Sequence, residues 1–235
     1  MTTQPYRIRP GSLSDVPAAA DIFIAAMTHD RLFEILYPNR DERPEVLAAQ
    51  VHRLFYSRWW NPNFDLHVIL PSERGAAAPV GLTWWKRPNS QLSFYERWVS
   101  PYAWIAPVVQ AILSLRDWLF PIPHLDQHAS NTFTRVIHDI EPRLLTTPRR
   151  KDAWYLSTLA VRPELQGKGL GTMLLCHGLQ RADRCGAAAW LVGLKAVEGY
   201  YERHGFVEVA RANVGEMKDW EGGAVIDRLL PEECQ

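Results

Sequence analysis

A chain of 235 residues with 47% apolar side chains can bury one large core, so a single domain with an elaboration fits its length better than two independent ones. Lysine plus arginine and aspartate plus glutamate number 26 each, for a formal charge of zero, and no net field draws the chain toward nucleic acid or an anionic membrane. The three cysteines, Cys176, Cys185 and Cys234, lack metal-ligand spacing and cannot all pair within one chain, which argues for a reducing compartment. The N-terminus carries neither an apolar signal core nor an Arg/Ser-rich presequence, so the cytoplasm is the expected location.

In chain order, Tyr6 to Arg9 reads as a short strand. Ser12 or Ser14 then offers a helix N-cap to an apolar-periodic run through Val16, Ala19, Ile22, Phe23 and Met27. A second helix is predicted from Glu45 to Trp60, with Pro44 at its first turn and Val46, Leu47, Val51, Leu54, Phe55 and Trp59 at helical spacing. Phe64 to Leu70 and Val80 to Lys86 read as paired strands across a polar, Ala-rich loop.

Between residues 87 and 151 the chain is too apolar for a solvated loop. Phe94, Tyr95, Trp98, Tyr102, Trp104, Ile105, Val108, Val109, Ile112, Leu115, Trp118, Leu119 and Phe120 need a host: the chain's own cleft, with this segment as a lid, a second copy in a homodimer, or a membrane surface. A spanning helix is excluded, because the run from Val99 to Leu115 is at or below the ~17–25 residues required and holds Pro101 and Pro107, with Arg116 and Asp117 directly after it. Ile105, Val108, Ile112, Leu115 and Leu119 recur at spacings of three and four, so one helical stripe is expected to pack inward.

Trp154 to Val161 reads as a strand and Thr172 to Arg184 as a helix, and Gln166-Gly167-Lys168-Gly169-Leu170-Gly171 joins them. Glycines let the backbone approach a ligand, and the first free N–H groups of the following helix point at negative charge there, so a pyrophosphate suits the junction. The mononucleotide loop needs Gly-Lys followed by Ser or Thr, whereas Gly169 follows Lys168; the dinucleotide fingerprint places its third glycine at 172, which is Thr. What remains, Gln-x-x-Gly-x-Gly after a strand ending Leu-Ala-Val-Arg-Pro, resembles the acyl-CoA loop of the GNAT family of N-acetyltransferases. A second strand-like run, Ala188 to Leu194, leads into Tyr201-Glu202-Arg203-His204-Gly205-Phe206, similar to the Tyr-x-x-x-Gly-Phe segment that ends the family's CoA-binding half.

The resemblance covers about residues 6–86 and 152–228 and implies an α/β fold: a mixed, mostly antiparallel central sheet with helices on both faces. It makes 87–151 a large helical insertion between the third and fourth strands. It implies acetyl transfer from acetyl-CoA to the amine of a small molecule by direct attack in a ternary complex, with no metal. Leu159 and Val161 would pair through their backbones with the pantetheine arm, and Gln166, Gly167, Lys168, Gly169, Leu170, Gly171 and Thr172 would surround the pyrophosphate. Tyr201 would protonate the departing thiolate, Tyr200 facing elsewhere. His204, in the last turn before a glycine cap, is explained by the helix dipole.

Two departures stand out. The strand glutamate that serves part of the family as a base is Tyr155 here, which leaves Asp152, Glu96, His138, Asp139 or a water chain. An asparagine often found near the family's last helix is replaced by Leu194-Lys195. These losses keep open a catalytically inactive, CoA-binding scaffold. Cys176 and Cys185 are expected to be small buried apolar groups.

Overall fold

The computed structural model describes residues 5–72, 78–195 and 197–228. Cys234 and most of the Ala-rich loop fall outside them. Strand β1 (Tyr6–Pro10) leads through a short 3-10 turn into α1 (Val16–Met27), α2 (Arg31–Leu36) and α3 (Pro44–Trp59). Strands β2 (Phe64–Pro71) and β3 (Gly81–Lys86) follow. Four helices then occupy residues 101–151: α4 (Pro101–Leu119), α5 (Gln127–Ser130), α6 (Thr132–Leu144) and α7 (Pro148–Lys151). Strand β4 (Trp154–Val161), α8 (Leu170–Arg184), β5 (Ala189–Val192), α9 (Glu198–Glu202), β6 (Val207–Arg211) and β7 (Ala224–Arg228) complete the order.

The strands form a seven-stranded sheet in the order β1-β2-β3-β4-β5-β7-β6, in which the β4–β5 pair is parallel and the others antiparallel. Each predicted strand and helix of the first 86 residues is present, with α2 in addition. Helix α8 begins at Leu170 rather than Thr172, and β5 is shorter than the run from Ala188 to Leu194. Among the described residues the last two strands pair antiparallel, and the second of them, β7, slots between β5 and β6.

Alternation along β3 supplies both faces of the core. Trp84 is buried with Phe55 of α3 and Phe64, while the next residue, Trp85, points the other way, against Trp154 and α8. Helix α8 lies so close that a Cβ on Gly178 would stand 2.1 Å from Trp85 Nε1. On the opposite face α1, α2, α3 and α6 contribute to one cluster, α6 burying Val136, Ile140 and Leu144 at intervals of four. At the β1 edge, Arg9 pairs with Asp15 at 2.7 Å, and Asp15 also accepts from the Ser12 backbone, tying the strand to the start of α1.

The expectation for α4 is overturned. Ile105, Val108, Ile112, Leu115 and Leu119 are all exposed, as are Trp98, Trp104 and Trp118. Helix α4 docks on α3 by its other side, where Tyr102 stacks on Trp60 and donates to the Trp59 carbonyl, Gln110 donates to the Trp60 carbonyl at 3.1 Å, and Arg53 pairs with Asp117 at 3.1 Å. No helix among the described residues is long and apolar enough to cross a membrane. Cys176 is half-buried and Cys185 is exposed, so the buried reading fails for the second.

Candidate active site

Two irregularities of β4 build the site. The register against β3 jumps between Trp84↔Thr158 and Trp85↔Leu156, leaving Ser157 without a counterpart, a bulge in β4. The ladder against β5 ends at Leu156↔Leu191. Beyond it the two strands part, and β4 runs on for five residues with β3 as its partner. Arg162 donates its backbone N–H to Val80 of the β3 side at 2.9 Å. By alternation, Ala160 and Thr158 also face β3, while Leu159 and Val161 turn their N–H and C=O groups into the gap.

One of those groups is occupied: Gln166 Nε2 donates to the Val161 carbonyl at 3.1 Å. This bond folds the glycine loop back onto the end of β4. Gly167 and Gly169 have φ of 74° and 80°, the left-handed region that a side chain resists, and an added Cβ at either would meet open space. The glycines therefore serve the backbone turn and leave room beside it. Gly169 is the N-cap of α8, so the N–H groups of Leu170, Gly171 and Thr172 have no partner within the helix and point toward that room. Lys168 is exposed beside it.

Tyr200, on α9, borders the same region, and its neighbour Tyr201 lies in the core behind it. Tyr201 is buried against Tyr200 and Phe206, and burial, with Tyr200 adding to it, raises its phenol above the ordinary value. The Tyr200 hydroxyl lies against the start of α8, 3.7 Å from where a Cβ of Gly171 would be. It is buried without a partner in hydrogen-bonding geometry. Burial raises its pKa, and the nearby Thr172 hydroxyl offsets part of the rise. His204 Nδ1–H donates to the Tyr200 carbonyl at 2.8 Å, and Gly205 (φ 81°) ends the helix, so both are accounted for by the cap.

On the opposite face of the sheet a cavity of about 470 Å³ reaches β4 at Tyr155 and Ser157, next to the point where the strands part. Helix α6 forms one wall through Phe133, Ile137, His138 and Glu141, and α3 contributes Arg58. Tyr155 stacks on Trp190 with ring centroids 4.2 Å apart. Burial pushes its pKa up to about 12; Arg58 opposes the rise and Glu141 adds to it.

The residues considered as bases on sequence are scattered. Glu96 is held by Arg87 and Ser93, which keep its carboxyl below the usual range against the effect of burial. Asp152 accepts from Ser90 at 2.7 Å outside the cavity, and Asp139 is exposed. Of the four, His138 alone lines the cavity. Arg58 and Glu141 are not singled out by the sequence, since neither belongs to a short motif.

A family model described as the Acetyltransferase (GNAT) family matches residues 135–206, from α6 through Phe206. The chain is similar in structure to a protein described as histone acetyltransferase HPA2 and related acetyltransferase from Corynebacterium glutamicum, with a TM-score of 0.58 and 19% identity over 97% of this chain and 99% of that one. An acetyltransferase from Thermus thermophilus gives 0.52 at 14% identity, covering 98% and 100%. The ribosomal-protein-S18-alanine N-acetyltransferase from Escherichia coli gives 0.51 at 14%, covering 98% of each chain. At these identities the likeness is one of fold. The family match spans the parted β4–β5 pair and the glycine N-cap of α8, so residues 135–206 match the GNAT acetyltransferase family, within a chain whose fold is that of GNAT acetyltransferases.

Proposed function

We propose that the chain is an N-acetyltransferase that moves an acetyl group from acetyl-CoA to the amine of a small molecule, by direct attack with both substrates bound. The observation that carries this reading is the place where β4 leaves β5. A gap lined by backbone groups and by the unpartnered start of α8 meets, across one sheet, a cavity that opens at Ser157. The donor supplies a thioester-activated acetyl group when bound.

This chain's own groups have separable tasks. The Leu159 N–H and C=O and the Val161 N–H can hold a peptide-like pantetheine arm as an added strand. The N–H groups around Gly169 to Thr172, with Gly167 for close approach, the Gln166 tether and the Lys168 charge beside them, suit a pyrophosphate. Tyr201, kept protonated by burial, holds the proton for the leaving sulfur. Glu141, the single carboxylate among the described residues lining the cavity, takes the amine proton directly or through water.

Release of free thiol from acetyl-CoA, followed across a panel of small amines, tests the reading. Amine-dependent release by the wild-type chain, lowered in Tyr201→Phe, is the expected result. Binding of acetyl-CoA without turnover on any amine would return the inactive scaffold.

A further inference from the structure

The cavity contains a charge that the fold leaves without a counter-ion. Arg58, in the last turn of α3, donates from Nη1 to Thr158 Oγ1 at 2.9 Å, and its guanidinium carbon lies 5.5 Å from the ring centroid of Phe55 and 5.6 Å from that of Phe64. It makes no ion pair with a described residue. The contrast with its neighbours is direct. Of the other cations that line the cavity, Lys86 and Lys151 are exposed to water, while Arg87 is tied to Asp65 at 3.1 Å and Glu96 at 2.8 Å, and Arg150 to Asp227 at 2.7 Å.

Loss of water around Arg58 lowers its pKa to about 10, with Tyr155 and Tyr37 partly opposing the fall, and it stays cationic at neutral pH. A desolvated cation served by one hydroxyl and two ring edges or faces is costly to keep, and its cost is recovered when an anion arrives. Arginine presents a planar fork, which matches a carboxylate in two parallel hydrogen bonds.

We propose that the acceptor amine carries a carboxylate, which Arg58 binds inside the cavity while the amine turns toward Ser157 and the gap between β4 and β5. The remaining walls complete the description of the ligand. The Tyr155–Trp190 stack, Phe133 and Ile137 suit an apolar body, and Glu141, the single carboxylate among the described lining residues, provides an opposite charge for an ammonium group. The acceptor is then an amino acid with an apolar or aromatic side chain, or a close relative. This inference rests on the acetyltransferase reading.

Matched acceptors test it: phenylalanine against phenethylamine, and leucine against isoamylamine, which differ by the carboxylate alone. By thiol release, kcat/KM is expected to be at least ~10-fold higher for the acid of each pair, and Arg58→Met should reduce it for the acids by about 10²-fold more than for the plain amines, chiefly through KM. Arg58→Lys, which keeps the charge but not the fork, should fall between. Arg58→Met breaks no ion pair, so its Tm is expected to match or exceed that of the wild type, whereas a purely structural arginine would lower it. Should Arg58→Met fail to fold, the Arg58→Lys comparison decides.

Calorimetry with N-acetylphenylalanine on the CoA-loaded protein separates the two levels of the proposal. Arg58-dependent binding with no thiol release from any amine would keep the carboxylate site and remove acetyl transfer. Turnover that favours phenethylamine and isoamylamine, or an equal loss in Arg58→Met for both members of each pair, would overturn the carboxylate site and leave acetyl transfer standing. Neither binding nor turnover would overturn both.

Discussion

Tyr200 and Tyr201 are neighbours on α9, yet the Tyr200 hydroxyl meets the start of α8 while the Tyr201 ring packs against Tyr200 and Phe206 in the core. Proton transfer by a positioned side chain contributes ~10²–10⁴-fold in rate, so Tyr201→Phe should lower kcat by about that factor with CoA affinity nearly unchanged. Tyr200→Phe should act on CoA affinity instead, because its hydroxyl borders the glycine loop. A drop in kcat confined to Tyr200→Phe would exchange the roles.

A second residue-scale prediction concerns His67. It is buried beside His177 and Arg181, with Asp65 bonded to the same Arg181, and burial first, then Arg181 and His177, lowers its pKa to about 3. The unfolded chain takes up a proton near the ordinary value of ~6.5 while the native state does not, so stability falls as pH drops from about 6.5 toward 3, by at most ~1.4 kcal/mol per unit. His67→Gln should flatten that slope between pH 6.5 and 4.5 in denaturant titrations. An unchanged slope would place the acid sensitivity elsewhere.

Among these single residues, legibility followed motif context. Gln166, Gly169 and Tyr201 belong to short patterns whose spacing is fixed by one loop or one helix. Arg58 and Glu141 come from α3 and α6, 83 positions apart, and meet through the fold alone.

Helices α4 and α6 show what periodicity can and cannot say. A stripe at spacings of three and four identified α4 as a helix, but the stripe faces solvent, and the docking side is set by Tyr102, Gln110 and Asp117. Hydrogen bonds to free carbonyls at the end of α3 decide that orientation, and no hydropathy pattern records them. Residues 87–151 are expected to be helical, but no separate helix is predicted at α6, although its buried Val136, Ile140 and Leu144 recur every four residues against a charged face, the pattern of an amphipathic helix. It is α6, not α4, that walls the cavity.

The difference is measurable. Ile112→Asp lies on the exposed stripe and should change stability by no more than about 0.5 kcal/mol. Ile140→Asp buries an unpaired charge and should cost roughly 3 kcal/mol or more. Denaturant midpoints of the two variants check this, and equal losses would mean that the α4 stripe is covered in solution.

For the whole molecule, β4 is the organising strand. Its first half pairs on both sides and carries Trp154 and Leu156 into the α8 core. After the bulge at Ser157 its second half loses β5, which opens a gap beside residues 158–161, while the cavity reaches the strand at Tyr155 and Ser157. The sequence showed the strand, the loop and the helix because each has a local pattern. The parting of β4 from β5 is a relation between strands separated by α8, and it became visible with the sheet.

The central claim is that the donor binds where β4 and β5 part, over the glycine N-cap of α8, and calorimetric titration of CoA tests it most directly. Gly169→Val places a branched side chain in the open space beside the loop at φ 80°; Gly186→Val, at φ 63° beyond the far end of α8, imposes a similar backbone strain away from it. With both variants folded, CoA affinity should fall by at least about 10-fold in Gly169→Val and stay within about twofold of wild type in Gly186→Val, since the loop's N–H groups carry the phosphate contact. Wild-type affinity in Gly169→Val would contradict the account.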